Sequence, residues 1–403
     1  MVHVIIPDDD SIGPLTFGIE LEFLVPMLKP LKHERSPPDP RPIFHAEDFD
    51  EGDPADPFNK FIFPALQAVD GIQVRDHFTD VFAYPLTSIP KYDAWRLIDD
   101  FSVKPGHGRE YSPYEWAGKE VTSEVLKADD AGYPKKITDV CRAIRECRVH
   151  LNSSAGVHVH IGHGDDGFSL KTLKRVATIM WLMDSRLLYL HHPSRRDNAN
   201  CELLSKISKL SHTQEGKPAA DPAGRYHRIM DENVPTDIWP ALHAKLQQIW
   251  FASDIEQIAH LMSDRTPPDS MRAISRGTVG FRRLISTGRN RVNINTVEFR
   301  QMAGSLEPDH IIQWVKVCLA IVDFARHSEN DSFKSVVRSA SMQPEENTYF
   351  ALDFLNDIGL YLGVPFWAEK LEGYILKRQT AMEFYENSDS NIQWVDEQRG
   401  SLA

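Results

Sequence analysis

Residues 18–23 read GIELEF, residues 156–162 read GVHVHIG and residues 295–301 read NTVEFRQ. Side chains of a strand alternate between its two faces. In the first stretch Glu20 and Glu22 therefore share one face, against Ile19, Leu21 and Phe23. In the second, His158 and His160 oppose Val157, Val159 and Ile161. In the third, Glu298 and Arg300 oppose Val297 and Phe299. Each predicted strand has one apolar face and one face of ionisable groups. Burying an unpaired charge is strongly unfavourable, so these carboxylates need a neutralising partner.

Divalent cations bridging to a phosphorylated ligand would fill that role. Carboxylate oxygens suit Mg²⁺ or Mn²⁺, and imidazole adds tolerance for Mn²⁺. The planar fork of Arg300 suits a phosphate or a carboxylate. The plainer alternative is a half-exposed antiparallel sheet, where polar and apolar residues alternate routinely. Acid–acid, His–His and acid–Arg pairs on three strands favour the metal site, because a structural sheet more often carries Thr, Lys or Gln. Residues 118–126 (GKEVTSEVL) add Glu120 and Glu124. Glu120 is the better ligand because it begins a predicted strand, whereas Glu124 reads equally well as a solvated carboxylate.

Composition narrows the function. Lys plus Arg number 45 and Asp plus Glu 58, a formal charge of −13. Such an acidic chain lacks the basic footprint of a non-specific nucleic-acid binder. Cys141, Cys147, Cys201 and Cys318 form no CxxC pair, which disfavours a zinc knuckle, and are too sparse for a secreted disulfide scaffold. The apolar run at the start is too short for a signal peptide, and no stretch has the length of a membrane span. A soluble, cytoplasmic protein with no membrane partner is expected.

Pro26, Pro30, Pro37, Pro38, Pro40, Pro42, Pro54 and Pro57 predict a surface excursion over 26–58. Beyond it, a short helix over 59–70 is expected to break near Pro64. Strands are expected at 72–88, 92–103 and 118–126, with strand character at 277–302. Helices are expected at 135–149, at 169–190 with Ser169 as N-cap, and at 237–262 with a kink at Pro240. Further helices are expected at 308–327, 346–362 and 365–385. Residues 212–224 read as a loop. With no clean linker, 1–390 reads as one elaborated domain, followed by a polar tail at 391–403.

The segments FGIELEF, EVTSEVL, SAGVHVHIG, HPSRRDNANC and TVEFRQMAGSLEPDHIIQW occur in order across residues 15–325. Together they resemble the amidoligase family common in fungi, of the carboxylate–amine ligase group that shares the glutamine synthetase fold. The resemblance implies an α+β fold, with a curved antiparallel sheet, helices packed on one face and the nucleotide on its concave face. It implies an enzyme in which ATP phosphorylates a small-molecule carboxylate and an amine displaces the phosphate, aided by two or more Mg²⁺ or Mn²⁺ ions. By the same resemblance Glu20, His158 and Glu298 hold one metal, and Glu22 and Glu120 another. Arg300 is the catalytic residue that contacts the substrate carboxylate or the transferred phosphate.

Other assignments stay open. His160 reads as a nucleotide contact, a support for a ligand, or a hydrogen-bonded core histidine. Arg196 lies in a segment near the substrate in the family, but Arg195 and Arg196 also read as a solvated surface pair. The resemblance implies that ATP-phosphate arginines come from 282–291, among Arg282, Arg283, Arg289 and Arg291, and Arg289 and Arg291 share a face if the segment is extended. Otherwise they are loop charges. His191 and His192 read as favourable charges at a helix C-terminus, and Cys201 as packing. The chain has neither GxxxxGK[ST] nor GxGxxG, so ATP would not sit on a Walker loop. A guanidino-kinase-like phosphotransferase and a non-catalytic nucleotide- or metal-binding protein are the competing readings.

Overall fold

A computed structural model describes residues 10, 12–33, 41–48, 59–76, 92–105, 113–165, 167–213, 221, 224–263, 277–284, 295–342, 348–376 and 393–394. The strands are β1 (Thr16–Leu28), β2 (Phe44–His45), β3 (Val74–Asp76), β4 (Trp95–Asp99), β5 (Tyr114–Thr122), β6 (Leu126–Lys127), β7 (His150–Leu151), β8 (Gly156–Gly162), β9 (Val279–Gly280), β10 (Val297–Ala303) and β11 (Gln393–Trp394). The fold is mixed α/β, with a large, mostly antiparallel, open sheet and twelve α-helices among the described residues.

The chain divides into two compact units. One comprises Phe17–His158, Met302–Trp314 and Leu376–Ala403. In it β1 runs antiparallel to β5, β5 antiparallel to β4, and β4 parallel to β3. Phe17, Ile19, Leu21 and Phe23 of β1 are buried, as the alternation requires. The helix Tyr133–Glu146 starts with Pro134, whose missing N–H costs nothing in a first turn. It buries Ile137, Val140, Cys141 and Ile144, and its Tyr133 ring meets Phe17 edge-to-face at 5.0 Å. Each fully buried aliphatic side chain contributes roughly 1.5–3 kcal/mol. Buried Arg41 donates to the carbonyls of Arg145 and Cys147, and so caps the end of this helix.

The other unit comprises Met1–Thr16, Val159–Gln301 and Val315–Ile375. The helix Leu170–Leu187 lies at its centre, packed against the helices Pro240–Trp250, Ile255–Met262 and Asn330–Ala340. Ser169 caps it by accepting from the Thr172 N–H. The Asp10 carboxylate adds negative charge at the same end, accepting from the Ser169 N–H at 3.0 Å and the Thr172 hydroxyl at 2.9 Å. Arg175, 1% exposed, donates to Asn233, Asn330 and the carbonyls of Ala325 and Ser328. Ala325 lies in the last turn of the helix Pro308–His327 and Ser328 just after it, so one guanidinium ties its own helix to the helices Arg225–Asn233, Pro308–His327 and Asn330–Ala340.

Several sequence expectations change. β1 runs through Pro26, which stands opposite Trp116, so the excursion starts after residue 28 and includes β2. The helix Asn59–Gln67 continues through Pro64. Pro240 opens a helix rather than kinking one, and 237–262 holds two helices. β5 starts at Tyr114, so Glu120 sits near its end rather than its beginning. The helices Arg225–Asn233 and Asn330–Ala340 were not expected, although the second buries Phe333, Val336, Val337 and Ala340 at helical spacing. The 212–224 loop and the 391–403 tail lie almost entirely outside the described residues.

Asp184 is buried and accepts from the Leu204 N–H at 2.7 Å. Burial pushes its carboxyl from 3.8 up to about 7. The folded state therefore keeps a proton that the unfolded chain releases. This group's contribution to stability falls as pH rises from about 4 to about 7, by up to about 4 kcal/mol. Asp184→Asn keeps the acceptor and removes the titration. Urea midpoints at pH 5 and pH 8 should differ less in that variant than in the wild type; equal differences would refute the assignment.

Candidate active site

The β1–β5 register sets Glu22 directly opposite Glu120, and Glu20 opposite Thr122. Like charges facing each other across a ladder repel. Glu22 is only 4% exposed, so water does little to screen it. A third acid, Asp100, follows the last residue of β4. One carboxylate oxygen from each of Glu22, Asp100 and Glu120 lies within 4.8 Å of the other two. Ligand oxygens around a small divalent ion at about 2.1 Å stand roughly 3–4 Å apart, so modest side-chain adjustment would close this cluster on Mg²⁺ or Mn²⁺.

His158, 2% exposed, stands between the two acids of β1. Its Nδ1 is 2.8 Å from Glu20 Oε2 and its Nε2 is 3.5 Å from Glu22 Oε1. An ionised carboxylate only accepts, so Nδ1 carries the proton it shares with Glu20. In the neutral ring this leaves the Nε2 lone pair directed to the Glu22 side. Glu22 Oε2 also accepts from the Gly156 N–H at 2.6 Å. The donors are hard oxygens and one imidazole. The thiols are ill-suited to join them: burial pushes Cys141 up to about 12 and Cys147 up to about 11, far from the thiolate form that binds metal.

The other unit carries His160, Glu298 and Arg300. Glu298 faces Gly280 of β9, where a Cβ would stand 3.1 Å from Glu298 Oε2; glycine leaves room for the carboxylate. Arg300 Nη1 donates to Glu298 Oε1 along the same face of β10. The Arg300 carbonyl accepts from Arg195 Nη2 at 2.7 Å and from Cys201 Sγ at 3.2 Å. His160 Nδ1 lies 3.4 Å from the Thr296 hydroxyl.

Other expected residues have different duties. Arg195 is buried at 1% exposure and braces β10, so it is no solvated charge. Arg196 stacks over the Tyr189 ring at 4.3 Å. Arg282 and Arg283 lie on the 3₁₀ turn Arg282–Leu284, while Arg289 and Arg291 lie outside the described residues. Burial, with Arg195 beside it, holds His191 well below the usual imidazole range. Burial, then Arg196, holds His192 at about 4. Neutral imidazoles offer no charge to a helix terminus, so that expectation fails. Glu124 pairs with Lys136 at 2.8 Å and stays out of the cluster. Cys201 is packing, as expected.

Asp100 was missed. It stands outside the predicted ionisable faces, in an Asp99–Asp100 doublet that resembles an ordinary strand end. The available signal was the doublet itself. Asp99 pairs with fully buried Lys119, and Asp100 reaches Glu120. Adjacent acids at a strand end thus serve opposite faces of β5.

Replacing Glu120 by Gln removes a repulsion from the metal-free protein. Its stability without metal should rise by about 0.5–1 kcal/mol, and stabilisation by added Mn²⁺ should disappear. Thermal unfolding with EDTA and with Mn²⁺ checks both signs. A variant that loses stability without metal would mark Glu120 as an ordinary structural residue.

A family model described as "Putative amidoligase enzyme" matches residues 13–233. The matched span contains Glu20, Glu22, Asp100, Glu120, His158, His160 and Arg196, and ends before Glu298 and Arg300. No curated protein matches the chain. Among the described residues no helix is long and apolar enough to cross a membrane. With more than half of its length matched, including the strands that carry the clustered acids and His158, the chain belongs to this amidoligase family.

Proposed function

We propose that the protein is an ATP-dependent carboxylate–amine ligase that forms an amide or peptide bond between small molecules through an acyl phosphate. The observation that carries this reading is the set Glu22, Asp100 and Glu120, with ligand oxygens mutually within 4.8 Å. The family match supplies the ligase class. In the reaction the γ-phosphoryl group moves to a carboxylate oxygen and ADP leaves. The amine nitrogen then attacks the acyl carbon, the amide bond forms, inorganic phosphate departs with its oxygen, and the amine releases a proton. A divalent ion supplies neutralisation of the phosphate oxygens as charge shifts between them.

The residues divide the work. Glu22, Asp100 and Glu120 hold one ion. Glu20 fixes the tautomer of His158, whose Nε2 then adds a neutral donor on the Glu22 side. For Glu298 as a ligand, and Arg300 as the group that orients the carboxylate or transferred phosphate, support comes from the family resemblance. The planar fork of Arg300 matches either anion in a two-point contact.

Titration of ATP-γ-S, first with Mg²⁺ and then with EDTA, tests the nucleotide site without knowledge of the substrates. Binding should need Mg²⁺. Glu22→Gln should weaken it at least tenfold while its far-UV circular dichroism stays that of the wild type. Equal binding in EDTA, or unchanged binding by Glu22→Gln, would overturn the proposal.

A further inference from the structure

We infer that Gly118 is a positioning residue for the cation site: its missing side chain lets the turn at Asp100–Val103 cross β5 and bring the Asp100 carboxylate to Glu22 and Glu120. This rests on the cation-site reading above. β4 and β5 pair through Ile98 opposite Glu120 and Asp99 opposite Lys119. The ladder gains one more bond, from the Asp100 N–H to the Gly118 carbonyl at 3.0 Å, and then the chain turns. The Val103 N–H returns to the Asp100 carbonyl at 3.3 Å, and the Ser102 N–H to Asp100 Oδ1 at 2.7 Å. Val103 is buried, so the turn sits on the strand rather than standing off it.

A side chain at 118 has no place in this arrangement. A Cβ there would lie 2.3 Å from the carbonyl oxygens of both Asp100 and Val103, and 2.9 Å from Val103 Cβ. The first two obstacles are backbone and cannot rotate away, so the turn itself would have to lift. Gly118 also shares its face of β5 with Glu120. Ladder register fixes Glu22 and Glu120, so lifting the turn separates Asp100 from them. The far end of the turn is clamped as well. Asn152 Nδ2 donates to the Lys104 carbonyl, and the Lys104 N–H donates to Ser154 Oγ at 2.9 Å.

The test is a Mn²⁺ titration of the full chain, with free Mn²⁺ read by its electron paramagnetic resonance signal. Gly118→Ala should raise the Kd at least tenfold, and so should Asp100→Asn, which keeps the acceptor for Ser102. Because Gly118 acts through Asp100, adding Gly118→Ala to Asp100→Asn should change the Kd less than about twofold. A general loss of stability would not produce that non-additivity. Tight wild-type binding unchanged by Gly118→Ala, or additive effects in the double variant, would overturn the inference alone. No Mn²⁺ binding by the folded wild type would overturn the cation-site reading, and this inference with it. If Gly118→Ala does not fold, Asn152→Ala loosens the same turn from its other end. The same loss and the same non-additivity with Asp100→Asn are then expected, and unchanged binding would overturn the inference.

Discussion

The repulsion between Glu22 and Glu120 is the constraint around which the site is organised. Ladder register places two carboxylates opposite each other on strands whose other faces build the core. Neither Cα can leave its place opposite the other without shifting that register, and a one-residue slip would send every side chain of β1 to the wrong face. The apolar residues Ile19, Leu21, Phe23 and Val121 therefore hold the acids against their mutual repulsion. The Gly156 N–H blunts the charge of Glu22, and the His158 ring stands beside it. Neither offers the double positive charge that a set of three clustered acids would accept from a divalent ion.

The same logic explains why adjacent acids of one turn have unrelated environments. Asp99 neutralises Lys119, which is wholly removed from solvent. An unpaired lysine there would be strongly unfavourable, so this pair is structural. Asp100, one residue on, meets other carboxylates. Alternation of β5 sends Lys119 and Glu120 to opposite faces, and the turn lets the Asp doublet follow both. The structural pair and the candidate ligand are thus built from one sequence feature.

Much of the site was legible because alternation needs only local sequence. Glu20, Glu22, His158, Glu298 and Arg300 stand on strands where the period of two placed them. What stayed hidden depends on contacts between distant segments. Asp100 joins the acids through a turn, and no periodicity marks a turn residue as inward. Gly118 reads as a flexible strand residue until the backbone crossing it is known. His191 and His192 look like surface charges beside a helix end, whereas burial among aromatic rings of Trp367 and Tyr374 keeps them neutral. Pro26 signals a strand end by composition, yet β1 continues two residues past it.

Burial therefore decides each ambiguous ionisable group, and it does so with opposite signs. Asp184 accepts from the Leu204 N–H, and burial, outweighing its hydrogen bonds, pushes it toward the neutral acid. Among the described residues the acceptors of Arg175 are carbonyl, amide and hydroxyl oxygens, and burial lowers it to about 10, at which it still holds its charge. These groups relieve their burial by titration or by dipoles supplied by the fold. Gathered acids cannot use the second route, since a backbone amide satisfies one oxygen at a time and leaves the repulsion among neighbours intact. Protonation or a cation remains to them. A proton neutralises one oxygen of one acid, whereas a divalent ion meets all three at once. That asymmetry between a lone buried acid and a gathered set separates the candidate site from the buried polar groups that merely hold the helices together.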